Sequence, residues 1–148
     1  MEHYATILWR RTSESFTYDS YNRAHEWRFH SVTIPASAAP GFRGDATMVN
    51  PEEAFVASLS SCHMLTFLAL AATKRFSLDS YTDEAVGYLE KNDKGRLAVT
   101  RVLLRPQVQW SPGISVSPAD LDSLHHQAHE GCFIANSVKT DVTVEPRA

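Results

Sequence analysis

The stretch NPEEAFVASLSSCHMLTFLALAA, residues 50–72, contains the longest mainly apolar run of the chain. Its first residues are typical of a helix start. Asn50 can cap the helix, the proline after it suits the first helical position, and Glu53 stands where a capping box has its acid. Apolar side chains then recur at helical spacing over most of the circumference, which is typical of a buried helix. The stretch therefore predicts a long, buried central helix.

The same stretch is a poor candidate for a membrane span. Serines, a threonine and a histidine interrupt it, whereas a spanning helix needs about 20 consecutive, mainly apolar residues. The N-terminus, MEHYATILWRR, lacks the charged, apolar and small-residue regions that make up a signal peptide. We therefore expect no membrane association and a reducing, cytoplasmic location, in which a stable structural disulfide is not expected.

Length and composition are those of one folded domain. The chain has 148 residues, of which 43% are hydrophobic and 21% are charged, as in ordinary globular proteins. Fourteen basic and seventeen acidic residues give a net charge of -3, and no basic run or stripe is present. We expect a single domain over residues 1–148 that does not bind nucleic acid.

Short β-rich runs and a second helix surround the central helix. Three runs precede it and predict a three-stranded meander: residues 4–9, 15–18 and 27–34. Two runs on either side of the turn signal Asn92–Gly95 predict a β-hairpin: residues 85–89 and 97–108. Ser117 can cap a second helix that ends at Gly131, before a short helical turn over residues 133–139 and a last strand near 141–144. This order of elements predicts an α+β domain.

Cys62 and Cys132 are the only cysteines, and each lies within a few positions of a histidine. They can be buried packing residues or, with His63 and His129, zinc ligands, although Cys62 and His63 point about 100° apart on a helix. They can also be a redox pair, in which one activated thiolate attacks an oxidant and the other thiol forms a disulfide with it. If Cys132 begins a helical turn, free backbone N–H groups favour its thiolate. The histidines of the second helix are interpreted as solvated or hydrogen-bonded rather than as ligands.

Two segments resemble the osmotically inducible protein C and organic hydroperoxide resistance (OsmC/Ohr) family. They are NPEEAFVA, residues 50–57, leading to Ser61-Cys62-His63, and AHEGCFIANS, residues 128–137. The match follows the order of these motifs and covers most of the chain. The resemblance implies an α+β fold with N-terminal antiparallel strands, a central helix, a β-hairpin, a second helix and a C-terminal strand, assembled as an intertwined homodimer. His63 and Phe133 depart from the common family pattern and leave the preferred substrate open.

The resemblance also implies a set of catalytic residues. Cys62 is the implied peroxidatic thiol, and Cys132 forms a disulfide with it. Glu52 is the implied acid that orients an arginine, because the family's acid directly follows the proline. Arg43, in the loop before the helix, is the favoured arginine, and Arg23 and Arg28 of the N-terminal strands are the alternatives.

A homodimer also agrees with the helix geometry. Glu52 and Cys62 are ten residues apart, about 15 Å along one straight helix, so they cannot share a site within one copy. A two-fold related copy of the helix brings the acid of one chain near the sulfur of the other.

The implied function is a thiol-dependent peroxidase that reduces organic hydroperoxides to alcohols. It uses no metal or bound organic cofactor, and an external dithiol, a lipoyl protein in part of the family, reduces the disulfide. Apolar side chains suited to an organic substrate lie near the cysteines in sequence: Phe55, Leu59, Met64, Phe67 and Phe133. The alternatives are a non-catalytic, stress-related binding or structural protein of the same fold, and a Cys/His zinc-binding protein.

Overall fold

A computed structural model describes all of residues 1–148 and contains two α-helices and eight β-strands. Residue contacts within the chain cluster in two compact units, Met1–Ala54 and Phe55–Ala148. The expectation of one domain over the whole chain therefore stays a prediction.

The first unit contains a three-stranded antiparallel sheet in the order β1-β2-β3. The strands are β1 (Thr6–Leu8), β2 (His25–Phe29) and β3 (Val32–Ala36). The predicted three-stranded meander is thus confirmed in strand number and direction, but two of its strands were predicted at the wrong residues.

Local hydrogen bonds and a tight turn explain both differences. Residues 15–18 form bends and turns rather than a strand, because the hydroxyls of Thr17 and Ser20 bond to each other at 2.7 Å and such local bonds compete with a strand ladder. The run predicted at 27–34 belongs to two strands. The backbone reverses between them at His30, which has a φ of 51°.

Helix α1 (Pro51–Thr73) has the capping box that the sequence predicts. The side-chain oxygen of Asn50 accepts the backbone N–H of Glu53 at 2.9 Å, and the Glu53 carboxylate accepts the N–H of Asn50 at 3.1 Å. Glu52 and Glu53 also stand in the first turn, where the helix dipole favours negative charge. These contacts fix where the helix begins.

In the single chain, α1 is buried along one stripe only. Its buried residues recur every four positions: Leu59, His63, Phe67 and Ala71. On another face Leu65 is 60% exposed. By length and a mean hydropathy of 1.7 the helix also resembles a membrane span, a property that the core helices of globular proteins share. The long central helix is therefore confirmed, and a large part of its apolar surface is uncovered in one copy.

The second unit contains two sheets and the second helix. One sheet pairs β4 (Leu78–Asp83) with β7 (Pro106–Trp110) antiparallel. The other has the order β5-β6-β8, in which β6 is antiparallel to β5 and parallel to β8. Its strands are β5 (Val86–Lys91), β6 (Leu97–Leu104) and β8 (Asp141–Val144).

The predicted hairpin is formed by β5 and β6. The Asn92 side chain accepts two backbone N–H groups at 3.0 Å within the turn, and Gly95 adopts a φ of 73° that favours glycine. The run predicted at 97–108 is divided between β6 and β7, because the N–H of Arg105 bonds to the Asp83 carboxylate at 2.7 Å instead of continuing the ladder. The partner of β7, strand β4, was not predicted.

Helix α2 (Pro118–Gly131) begins and ends as predicted. The Ser117 hydroxyl accepts the N–H of Asp120 at 3.1 Å. A short 3-10 turn, Ala135–Ser137, follows the helix and lies within the predicted helical turn. The C-terminal strand also occupies the predicted residues.

Helix α1 contributes to both apolar cores of the second unit. One core packs it against α2 and contains Phe67, Ala71, Leu124 and Ala128. The other packs it against the β5-β6-β8 sheet and contains Leu59, Val102 and Leu104. The position of α1 is therefore set by α2 on one side and by this sheet on the other.

We expect the capping box to contribute to the free energy of unfolding. Replacement of the cap residue, Asn50→Ala, leaves the N–H of Glu53 without its acceptor and should lower the free energy of unfolding by about 1 kcal/mol. Asn50→Ser keeps a side-chain oxygen and should lose less than half as much. Urea unfolding measures both variants, and equal losses would contradict the capping role.

Candidate active site

The structure brings the two cysteines together. Cys62 lies on α1 and is half-buried, whereas Cys132 directly follows α2 and is 1% exposed. Both thiols are free, and the Cys62 thiol lies close enough to Cys132 to raise the pKa of the Cys132 thiol. Two sulfurs far apart in sequence therefore meet where the two helices pack.

Burial controls the ionisation of Cys132. Loss of solvent raises the pKa of the Cys132 thiol, while the N–H of Ala135, 3.4 Å from Sγ, acts in the opposite direction. The neighbouring Cys62 thiol raises the pKa of Cys132 further. The expectation that backbone N–H groups favour a Cys132 thiolate was therefore wrong in its net direction, because burial outweighs the backbone N–H groups of Ala135 and Ile134.

The backbone carbonyl of Cys62 accepts a hydrogen bond from a side chain of the same helix. The Thr66 hydroxyl, one turn later, donates to the carbonyl oxygen of Cys62 at 3.0 Å. Cys62 is only half-buried and is the more accessible of the two cysteines. A more accessible thiol beside a buried, protonated one is suited to attack by the first and disulfide formation by the second.

His63, the residue after Cys62, pairs with a histidine of α2. Its Nε2 lies 3.0 Å from Nδ1 of His125, and the two rings are stacked with an angle of 7° between their planes. Burial is the main cause that lowers the pKa of each imidazole to about 4, and the charges of His125 and His129 lower that of His63 further. Both rings are therefore neutral at pH 7.

The sequence does not predict the pairing of His63 with His125. The sequence interpretation of hydrogen-bonded histidines holds for His125, but nothing in the spacing indicates His63 as its partner. Nδ1 of His63 and Nε2 of His125 are buried without hydrogen-bond partners. No group of three or more His, Cys, Asp or Glu side chains is arranged to hold a metal ion, so the predicted zinc ligands do not form such a set.

The capping role predicted for Glu53 is confirmed, whereas the role implied for Glu52 stays a prediction. Glu53 completes the capping box, whereas Oε2 of Glu52 is buried and has no hydrogen-bond partner. Glu52 forms no ion pair with any arginine in the single chain. The expected contact between Glu52 and an arginine is therefore not formed within one copy.

The three candidate arginines have other partners in the first unit. Arg43 pairs with Asp19 at 2.7 Å, not with the nearby Asp45 of its own loop. Arg28 pairs with Glu26 of the same strand at 2.9 Å.

Arg23 is engaged with aromatic residues and backbone. Its guanidinium donates to the carbonyl oxygens of Tyr18 and Tyr21. It also lies 3.6 Å from the centre of the Tyr21 ring, within the range of a cation-π interaction. Arg23 therefore supports the loop between β1 and β2.

Comparison with known proteins identifies the family of the chain. The family model described as OsmC-like protein matches residues 44–147. The chain belongs to the OsmC-like protein family. An OsmC-like protein of unknown function from Vibrio cholerae has 50% sequence identity and a TM-score of 0.95, with 99% of each chain covered. The predicted family and its α+β fold are thus confirmed.

More distant OsmC-like structures share the fold. An organic hydroperoxide resistance protein OsmC from Legionella pneumophila is 17% identical, with a TM-score of 0.74 over 100% of this chain and 98% of the other. The organic hydroperoxide resistance protein OhrB of Bacillus subtilis is 18% identical, with a TM-score of 0.68 over 97% and 98%. No curated protein sequence matches the chain significantly.

The buried histidine pair makes the stability of this OsmC-like protein depend on pH. Because burial lowers both pKa values from 6.5 to about 4, the folded protein binds fewer protons than the unfolded chain between these values. The stabilisation is complete above pH 6.5 and is lost as the pH falls towards 4. Urea unfolding should show a loss of about 2 kcal/mol per histidine between pH 7 and pH 5.

Two variants separate this effect from other titrations. The double variant His63→Leu/His125→Phe should flatten the pH dependence, whereas His126→Gln, which removes an exposed histidine, should leave it unchanged. Equal stability of the parent protein at pH 7 and pH 5 would contradict the assignment.

Proposed function

We propose that this OsmC-like protein is a thiol-dependent peroxidase that reduces organic hydroperoxides to alcohols. The observation that carries the proposal is the proximity of the half-buried Cys62 thiol to the buried Cys132 thiol. A disulfide forms only between sulfurs that can come to about 2.05 Å, so thiols that are already neighbours are prepared for it. The names of the Legionella pneumophila and Bacillus subtilis relatives, both organic hydroperoxide resistance proteins, support the same chemistry.

The reaction has three steps. The Cys62 thiolate attacks the terminal oxygen of the hydroperoxide; an S–O bond forms, the O–O bond breaks, and the alkoxide takes a proton and leaves as the alcohol. The Cys132 thiol then attacks the sulfur of the Cys62 sulfenic acid, so that an S–S bond forms, the S–O bond breaks and water leaves. An external dithiol, such as a lipoyl group, reduces the disulfide by exchange and restores both thiols.

Exposure and pKa assign the two roles. The nucleophile that attacks the peroxide must be a thiolate that the substrate can reach. Cys132 is 1% exposed and its pKa is raised by burial, so it is poorly suited to the first step. Cys62 is the more accessible sulfur and takes the peroxidatic role.

Glu52 is assigned to the orientation of an arginine. Its buried Oε2 has no donor, and an unpaired buried carboxylate oxygen is strongly destabilising unless a cation or N–H group satisfies it. An arginine, with Arg43 favoured, would satisfy this oxygen and stabilise the Cys62 thiolate in a homodimer. The dimer brings Glu52 of one copy near Cys62 of the other, since the two lie about 15 Å apart along one helix.

The uncovered surface of α1 supports the homodimer. Leu65 is 60% exposed in the single chain, and the helix around it is apolar on nearly every side. Apolar surface of this kind is usually covered by a partner. The proposed location of the dimer is the cytoplasm, where dithiol reductants are available.

Not all of the apolar residues near the cysteines in sequence can contact a substrate. Leu59 and Phe67 are core residues, 1% and 0% exposed, and cannot contact a substrate. Phe133, directly after Cys132, is 81% exposed. We assign contact with the organic group of the hydroperoxide to Phe133 among these residues.

Mass spectrometry after one equivalent of cumene hydroperoxide tests the reaction. The parent should lose two hydrogens as an internal disulfide. Cys132→Ser should instead hold a sulfenic acid that dimedone traps, and Cys62→Ser should not react. If both parent thiols stay reduced, the chain is a binding or structural protein of this fold. Metal analysis with and without chelator separates the zinc-binding alternative.

Adjacent glutamates provide a matched test of the acid. Glu52→Gln removes the charge that orients the arginine and should lower kcat/KM by about tenfold or more, equivalent to about 1.4 kcal/mol of transition-state stabilisation. Glu53→Gln keeps the capping hydrogen bond and should change kcat/KM by less than about twofold. Steady-state peroxide consumption measures both. Equal effects of the two substitutions would show that Glu52 has no special role in catalysis.

A further inference from the structure

Gly131 lies where α2 comes close to α1. It is the last residue of α2 and directly precedes Cys132. A Cβ atom added at Gly131 would lie 3.2 Å from Cγ2 of Thr66, closer than the optimal separation of about 3.5–4.0 Å between carbon atoms. A side chain at this position therefore requires Thr66 or the end of α2 to shift by a few tenths of an ångström.

Thr66 cannot easily turn its methyl group away. Its hydroxyl donates to the carbonyl oxygen of Cys62 at 3.0 Å, and rotation about χ1 to move Cγ2 would break that bond. The methyl group of Thr66 thus forms a fixed surface one turn away from Cys62.

Cys132 is fixed to the backbone that follows Gly131. Its N–H donates to the carbonyl oxygen of His129 at 3.3 Å, and the Asn136 side chain donates to the Cys132 carbonyl oxygen at 3.0 Å. Its sulfur accepts the N–H of Ala135 at 3.4 Å. A displacement of the α2 end would therefore carry the Cys132 sulfur with it.

We infer that Gly131 is a positioning residue for disulfide formation. The absence of a side chain lets the end of α2 approach Thr66, and this approach holds the Cys132 sulfur against that of Cys62. The inference rests on the proposed function for one step, in which the Cys132 thiol attacks the Cys62 sulfenic acid, an S–S bond forms and water leaves. Disulfide geometry is narrow, with about 3.5–4.5 Å between Cβ atoms, so a small displacement slows this step.

Four variants test the inference by mass spectrometry after one equivalent of cumene hydroperoxide. In Gly131→Ala, sulfenic acid should form within about twofold of the parent rate, while disulfide formation should slow by about tenfold or more, so that dimedone traps the intermediate. Gly131→Ala/Thr66→Ser removes the opposing methyl but keeps the hydroxyl, and should restore the disulfide rate to within about threefold. Thr66→Ser should match the parent. Gly41→Ala adds a methyl that meets nothing within 4 Å, and it should match the parent as well.

A second measurement needs no peroxide. In glutathione redox buffers, Gly131→Ala should lower the equilibrium constant for the Cys62–Cys132 disulfide by about tenfold, and the double variant should recover it. Urea unfolding of the reduced variant should show only a small change in stability, because the higher helix propensity of alanine offsets the tighter contact with Thr66.

The inference about Gly131 and the proposed function fail on different outcomes. Parent-like disulfide formation in Gly131→Ala, or no recovery in the double variant, would overturn the inference. If the parent ignores the hydroperoxide, the proposed function fails, and the glutathione buffers still decide the role of Gly131.

Discussion

The contact between the Cys62 and Cys132 thiols depends on how closely α1 packs against α2. Large and small apolar side chains alternate in this helix pair: Phe67, Ala71, Leu124 and Ala128. The alanines allow close packing, as small residues do at helix contacts. Gly131, the residue before Cys132, extends this close contact to the end of α2. The strands position the site indirectly, since they pack against α1 and fix where the helix lies.

Burial favours the uncharged form of several ionisable groups near this helix contact. It raises the pKa of the Cys132 thiol and lowers the pKa of His63 and His125, so each group is uncharged at pH 7. In the proposed reaction, charge is therefore needed only at Cys62, the more accessible sulfur. An arginine that enters from a second copy would stabilise that single charge without opposing a charged neighbour.

The parts of the fold that the sequence predicts are those set by local contacts. The start of α1 is an example, because Asn50 and Glu53 bond to each other across one turn. The order of the two cysteine segments indicated the family, which supplied the expected thiol pairing. The pKa direction of Cys132 and its contact with Cys62 required the packing of two helices, and the hydrogen bond from His63 to α2 did as well. No residue spacing carries that information.

The thiol contact is tested most directly by a crystal structure of the reduced protein in which anomalous scattering locates both sulfurs. We expect Cys62 and Cys132 to face each other with their Cα atoms about 4.4–6.8 Å apart, a separation that a disulfide can span. Cα atoms more than about 7 Å apart, or another side chain between the sulfurs, would contradict it.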